Sequence, residues 1–249
     1  MGLAPTEPFP DEPAAEGSTS GWTDPIDGRV HRYVIASFIE RGHAPSVARL
    51  SSDLDQPASV IESALERLHR GHGLVLHPGG HAIWIAHPFS STPTNVWVEA
   101  AAAGWWAPCL WCGLGVGALV ATDVVIHTRL AGEHEAVRID VREGEVVDAA
   151  LLVHFCTPPR DAWNNVSAWC ASVQPFVSAE QIDMWCERHA LQRGEAVPID
   201  RVQCLARAWY GRHLDPDWRK WTVAEAQAIF GSVGLRGDFW RLPSTDRPF

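Results

Sequence analysis

The sequence has no basic block, and its 249 residues carry a formal net charge of −10. Proteins that bind nucleic acids neutralise phosphates with clustered Lys and Arg, so we expect no nucleic-acid partner. Apolar runs are interrupted by Pro, Thr or Asp before they reach transmembrane length, so we expect no membrane contact. The acidic, proline-rich N-terminus lacks the basic start and apolar centre of a signal peptide, which predicts a cytoplasmic protein.

Common cofactor and nucleotide motifs are also missing. Neither GxGxxG nor a Walker A sequence occurs, so the usual phosphate-binding loops are excluded. The chain has no internal repeats. Its six cysteines, in a protein expected to be cytoplasmic, are predicted to be reduced thiols rather than a disulfide framework.

Apolar and aromatic residues are plentiful. A hydrophobic fraction of 46% over 249 residues can fill the core of one large domain or of two small ones. The 13 Trp against 2 Tyr are an unusual balance. We expect most of these rings in the core, with one or two lining a pocket.

The N-terminal part of the chain is predicted to form a small helical unit behind a flexible leader. Residues 1–27 contain too little apolar surface to fold, whereas 28–87 read as a winged-helix-like unit. Three helices, ending with Ala58–Arg70, precede a hairpin of strands at 74–77 and 82–86. A winged helix can bind DNA through its third helix. Because that helix mixes acidic and basic side chains, we expect the unit to pack on the core instead.

Residues 88–213 are predicted to form the core, and 214–249 a Trp-rich C-terminal extension. A Pro/Ser/Thr linker at 88–94 leads to a buried helix that starts near Trp105 or Ala107 and runs to about Leu119. The remaining expected elements are three strands at 123–130, 136–141 and 145–155, a loop before Trp169, and helices at 178–189, 199–210 and 222–230, two of them opened by capping boxes. The predicted fold class is α+β, with the winged-helix-like unit packed on a small mixed, mostly antiparallel sheet with helices.

Cys109 and Cys112 are separated by two residues near the expected start of the buried helix. Residues three apart on a helix share a face, and a helix N-terminus favours thiolates. A structural zinc site would need a second pair of closely spaced ligands, which the sequence lacks. A thioredoxin-like motif needs a parallel βαβ unit, whereas the strands expected here are antiparallel. What remains is a soft-ligand cluster of Cys109, Cys112 and Cys170, which would select soft metals. The alternative is that these thiols are inert core residues.

Other candidate residues are predicted to be structural. We expect Cys156, Cys186 and Cys204 to be plain core, and His154 and His189 to be surface groups or satisfied core groups. Three Trp flank the cysteines: Trp106, Trp111 and Trp169. They either line a pocket or pack in the core.

From about residue 28 to 210 the chain resembles the bacterial alkylmercury (organomercurial) lyases. The resemblance is sharpest at Trp-Ala-Pro-Cys-Leu-Trp-Cys, residues 106–112, and returns at Ser-Ala-Trp-Cys, residues 167–170. It places Cys109 and Cys170 at the positions of the family's two catalytic cysteines. Their sulfurs should then lie roughly 4 Å apart to share one metal.

The resemblance implies protonolysis of a carbon–mercury bond by two thiolates and a proton donor. It requires no cofactor and leaves Hg(II), which a mercuric reductase or thiol carrier would accept. The family's proton-donating aspartate follows the first cysteine by three residues, and here that position is Cys112. Cys112 would then either donate a proton from its S–H group or act as a third metal ligand.

Three other functions stay open on the sequence alone. The first is non-catalytic binding or sensing of soft metals or organometals through Cys109, Cys112 and Cys170. The second is a cysteine-dependent reaction on another organic substrate, because a fold does not fix a function. The third, transcriptional regulation through the winged-helix-like unit, is disfavoured by the acidic charge.

Overall fold

The computed structural model describes residues 24–147 and 150–243. Most of the predicted leader, residues 1–23, lies outside the described residues. Its last residues are helical: Asp24 caps the first helix, and its carboxylate accepts a hydrogen bond from the backbone N–H of Ile26. Pro25 follows at a position where its missing N–H costs nothing.

Helices and strands are mixed along the chain, as an α+β fold requires. The helices of the described residues are α1 (Pro25–Arg41), α2 (Val47–Leu54), α3 (Ala58–Arg70), α4 (Leu110–Val120), α5 (Val166–Ala171), α6 (Ala179–His189), α7 (Ile199–Tyr210) and α8 (Val223–Ser232), with short 3-10 turns at Leu130–Gly132, Pro159–Asn164 and Asp238–Trp240. The strands are β1 (Val75–Leu76), β2 (Ile83–Ala86), β3 (Phe89–Ser90), β4 (Val96–Glu99), β5 (Gly104–Ala107), β6 (Val124–Arg129), β7 (Ala136–Arg142), β8 (Glu145–Val147), β9 (Leu152–Phe155), β10 (Gln174–Phe176) and β11 (Glu195–Pro198).

Two antiparallel sheets form the framework. The larger has the strand order β1-β2-β3-β5-β4-β6-β7-β8, and the smaller has the order β10-β9-β11. All the strand pairs in both are antiparallel. The predicted α+β class with a mostly antiparallel sheet is therefore confirmed.

The N-terminal unit contains three helices and a hairpin in the predicted order. Buried Asp27 of α1 accepts an ion-paired hydrogen bond at 2.6 Å from Arg67 of α3, which ties the first helix to the third. Strand β2 pairs with β3, so the sheet continues across the expected boundary between residues 87 and 88. The division into domains and the absence of DNA binding remain predictions.

Three expected elements are wrong in detail. The buried helix starts at Leu110 rather than near Trp105, because Gly104–Ala107 forms β5. Buried and partly buried residues alternate along that strand. Because the residues on both of its faces are apolar, the sequence does not show this alternation. The expected linker at 88–94 contains β3, and the expected strand at 145–155 is two strands, β8 and β9, that join different sheets.

Helix α4 lies at the centre of the molecule, between the large sheet and α7. It is apolar on every side and almost wholly buried, as a helix enclosed in a core must be. Gly115 allows the close approach of α7: a Cβ there would lie 2.2 Å from Cδ2 of Tyr210. The middle of α4 is thereby held against the last turn of α7.

The C-terminal extension packs onto this core. Phe230 of α8 and Trp240 are completely buried, and their rings lie 5.3 Å apart. Thr222 and Glu225 form the predicted capping box at the start of α8. None of the helices in the described ranges is long and apolar enough to span a membrane.

Candidate functional site

Cys109 is the N-cap residue of α4, and the helix begins at the next residue. Its backbone is extended, and its sulfur accepts a hydrogen bond from the backbone N–H of Cys112 at 3.4 Å. The two sulfurs also lie 3.4 Å apart, with the thiol of Cys112 beside that of Cys109. The two sulfurs therefore lie close together because Cys109 caps the helix that contains Cys112. The expectation that both residues lie on one helix face is wrong, because Cys109 precedes the helix. Pro108 precedes the cap and lies outside the first turn.

Cys170 of α5 completes the group of three buried thiols. Cys109, Cys112 and Cys170 are each 2% exposed or less. The sulfur of Cys170 lies within 4.8 Å of the sulfur of Cys112. On its other side, the sulfur of Cys170 lies 3.6 Å from Nε2 of His87, in the connection between β2 and β3.

The three thiols differ in their ionisation. Burial by itself raises the pKa of Cys109, but hydrogen bonds from the thiols of Cys112 and Cys170 and from backbone N–H groups of α4 outweigh it and hold the pKa well below its usual range. Burial raises the pKa of Cys112, and the neighbouring Cys109 raises it further. Hydrogen bonding to Cys109 and Cys112, with burial, raises the pKa of Cys170. Of the three, Cys109 is therefore the thiol that ionises most readily.

Tyr210, at the end of α7, contacts this group directly. Its hydroxyl oxygen lies 3.5 Å from the sulfur of Cys112. Burial, followed by the nearby sulfur charges, raises the pKa of Tyr210 well above its usual range. The phenol stays protonated and can share a hydrogen bond with the thiol.

An internal cavity of about 70 Å³ opens beside Cys112 and Cys170. Its wall is rich in Trp and His and includes one Lys: His31, His72, His87, Trp111, Trp163, Trp169, Trp209, Tyr210, His213, Trp218, Lys220 and Trp221. No carboxylate belongs to the described residues of this wall. The indole N–H groups of Trp111 and Trp163 find no acceptor among the described residues, which suits a cavity that takes a ligand.

The histidines of the wall are neutral near pH 7. Burial, followed by the charge of Lys220, lowers the pKa of His31 and His87 to about 3 and that of His72 to about 4. Burial also holds the pKa of His213 well below its usual range. These rings can therefore act as ligands or hydrogen-bonding groups, because their ring nitrogens carry no extra proton.

A second pocket is lined by Cys109. It has a volume of about 350 Å³ and a more polar wall that includes Thr94, Asn95, Ser167 and Gln174. The three cysteines thus border both an aromatic cavity and a polar pocket.

The structure brings together the three cysteines that the sequence singled out. Cys156, Cys186 and Cys204 lie elsewhere; Cys186, for example, is 4.0 Å from buried His154. Trp111 and Trp169 line the aromatic cavity, whereas Trp106 packs on Trp97 across the sheet, with ring centres 4.7 Å apart. The catalytic and metal-binding roles of the cysteines remain predictions.

Sequence reasoning missed the second half of the site. His87 comes from one part of the chain, and Tyr210, His213 and Lys220 come from a distant second part. The one available signal was the C-terminal extension, whose Trp and basic residues close the cavity.

Comparison with known proteins gives a consistent result. The family model for alkylmercury lyase (MerB) matches residues 89–211. The chain is also similar to a crystal structure of the mercury-bound form of MerB2, with a TM-score of 0.61 and 22% identity, over 76% of this chain and 89% of that one. At this identity the likeness supports the fold. No curated protein matches the chain.

Proposed function

We propose that this chain, whose residues 89–211 match the alkylmercury lyase family model, cleaves carbon–mercury bonds and releases Hg(II) and a hydrocarbon. The observation that carries the proposal is the group of three buried cysteines beside the aromatic cavity, in which the sulfurs of Cys109 and Cys112 lie 3.4 Å apart. A thiolate is the nucleophile that mercury prefers, and a second sulfur beside it can share the same metal.

In the proposed reaction the sulfur of Cys109 displaces the ligand opposite carbon on R–Hg–X and forms a mercury–sulfur bond. The Cys170 thiol then gives its proton to water and its sulfur adds a second mercury–sulfur bond, which increases the electron density on mercury. The electron pair of the carbon–mercury bond passes to carbon, which takes a proton and leaves as R–H. Hg(II) remains on the two thiolates until an external thiol or a reductase removes it.

The aromatic cavity would hold the organic group. Its volume of about 70 Å³ accommodates a small alkyl or aryl substituent, and its indole walls exclude water from the reacting bond. Exclusion of water strengthens the electrostatic interactions that stabilise charge developing on carbon. The polar pocket at Cys109 offers a separate route for the thiol that carries Hg(II) away.

Turnover of phenylmercury tests the proposal. With excess thiol, the wild-type protein should release benzene, measured by gas chromatography of the headspace. Cys109→Ser and Cys170→Ser should each lower the rate on the order of 10³-fold or more, because removal of a nucleophile abolishes the covalent step. Cys204→Ser, which changes a cysteine outside both pockets, is the matched control and should retain full activity. A wild-type protein that releases no benzene would contradict the proposal.

A second candidate function is retention of a soft metal ion without turnover. One nitrogen of His87 and the sulfurs of Cys112 and Cys170 lie within 4.8 Å of one another, a spacing that one ion could bridge. Two thiolates and an imidazole suit a soft or borderline divalent ion. Co(II) titration distinguishes this function: intense sulfur-to-cobalt absorption that His87→Gln weakens would support it, and its absence would exclude it.

A further inference from the structure

Lys220 is the single lysine of this chain; the other residues counted with it as basic are arginines. It lies in the C-terminal extension, yet it is only 5% exposed and lines the aromatic cavity together with Cys112 and Cys170. A lysine is rarely buried without a specific partner, because its charge is costly to remove from water.

The surroundings of Lys220 fix the position of its side chain but, in the described part of the chain, provide no carboxylate to pair with Nζ. Its Nζ donates a hydrogen bond of 2.7 Å to the carbonyl oxygen of His72 and lies 4.1 Å from the ring centre of Trp163. An ammonium group has three N–H bonds, and this carbonyl accepts one. No carboxylate of the described residues lines the cavity, so the ammonium has no ion pair there. Its other N–H bonds remain available to a molecule in the cavity.

We propose that Lys220 is the proton donor that completes carbon–mercury cleavage in this protein. The inference rests on the proposed lyase function. As the carbon–mercury bond breaks, its electron pair forms a C–H bond with a proton from Nζ. R–H leaves, Nζ becomes a neutral amine, and mercury stays on Cys109 and Cys170. The amine then regains its proton from water.

The other titratable groups that face Lys220 are poorer donors. His31 on α1, His72 after α3, His87 after β2 and His213 after α7 are neutral, because burial lowers the pKa of each. The thiols of Cys112 on α4 and Cys170 on α5 and the phenol of Tyr210 have raised pKa values and hold their protons. Lys220 differs from the thiols and the phenol, because burial lowers its pKa well below the usual range and a proton on Nζ leaves more readily.

The position of Lys220 in the chain fits this role. It lies outside residues 89–211, the part that the family model matches. Within that part, Cys112 stands where the resemblance implies an aspartate. The extension thus brings an acid to a cavity whose other described wall residues provide no carboxylic acid.

Three variants test the inference in the full-length protein. Lys220→Met removes the proton donor but keeps the length of the side chain. Lys220→Arg keeps the positive charge but does not release a proton, because a guanidinium remains protonated in proteins. Arg219→Met is the matched control, since it removes a charge from the adjacent residue, whose side chain is 53% exposed.

Single-turnover benzene release from phenylmercury should fall on the order of 100-fold or more in both Lys220 variants, the usual contribution of a general acid, and should not change in Arg219→Met. Binding of Hg(II), measured by competition with a small dithiol, should stay near wild type in all three. Benzene release by Lys220→Met within a few-fold of wild type would overturn the inference alone. A wild-type protein that releases no benzene would overturn the lyase function as well.

The pH profile tests the same step in the unaltered protein. The rate should fall at higher pH as Lys220 loses its proton. Lys220→Arg should abolish the alkaline fall. An alkaline fall that persists unchanged in Lys220→Arg would assign the proton to another group and contradict the inference.

Discussion

The hydroxyl oxygen of Tyr210 lies 3.5 Å from the sulfur of Cys112, although the two residues are 98 positions apart in the chain. This contact joins the C-terminal end of α7 to the N-terminal turn of α4, where Cys109 is the cap. It keeps the Cys112 thiol beside the proposed mercury position.

Cys112 is predicted to be a third mercury ligand rather than the proton donor. Cys112→Ser should therefore weaken retention of Hg(II) by about tenfold or more, since a hydroxyl is a poor ligand for a soft metal, while benzene release stays within a few-fold of wild type. Both quantities can be measured on one preparation, by dithiol competition and headspace analysis. Loss of turnover with retention intact would instead make the Cys112 thiol the acid.

Cys112→Asp restores the residue that the resemblance implies at this position. It supplies a second acid beside the mercury site, so the single-turnover rate should increase. A variant that binds mercury through Cys109 and Cys170 but cleaves more slowly than wild type would show that a carboxylate does not fit this cavity.

Gly115 is predicted to control the position of Tyr210. A Cβ at this residue would lie 2.2 Å from the Tyr210 ring, so Gly115→Ala must separate α4 from α7. We expect a loss of about 1–3 kcal/mol in the free energy of unfolding, together with reduced lyase activity.

Gly117→Ala is the matched control on the same helix. Its Cβ would lie 3.2 Å from Cγ2 of Val124, a contact that a small shift relieves. Alanine also favours a helix by up to about 1 kcal/mol over glycine, so stability should change little or increase. Urea unfolding of both variants measures the difference. Equal losses would show that the approach of Tyr210 is not specific.

The buried histidines should make the fold sensitive to acid. His31 and His87 have a folded pKa of about 3, below the unfolded value of 6.5, so the unfolded state binds more protons at lower pH. Their contribution is complete above pH 6.5 and decreases as pH falls towards 3. The free energy of unfolding should therefore decline between these values.

Substitution of one buried histidine should reduce this decline. His31→Phe removes a group that titrates, and its stability should depend less steeply on pH between 6.5 and 4. His134→Phe, at an exposed position, is the control and should follow the wild-type curve. Superimposable curves for all three proteins would show that the histidine group does not govern acid unfolding.

Elements with local signals could be predicted from the sequence. The helix at 199–210 has apolar residues at helical spacing and matches α7, and the Thr222 capping box marks the start of α8. Strand β5 could not be predicted, because apolar residues on both faces conceal its period. Trp106 in that strand is placed by Trp97 on the neighbouring strand, a contact that no local pattern reveals.

The same contrast applies to the candidate site. Cys109, Cys112 and Cys170 could be found because two of them are close in sequence and all three stand in the segments that carry the family resemblance. Tyr210 and Lys220 could not, because only the packing of α7 and of the C-terminal extension brings them to the cavity. Lys220 also follows two exposed charged residues, Asp217 and Arg219, a setting typical of a surface lysine.

Native mass spectrometry after one turnover tests the central claim most directly. Wild-type protein mixed with one equivalent of phenylmercury should carry a single mercury atom without the phenyl group, and an equal amount of benzene should collect in the headspace. Cys109→Ser should not form that product. A wild-type complex that retains intact phenylmercury, with no benzene released, would contradict cleavage of the carbon–mercury bond by this protein.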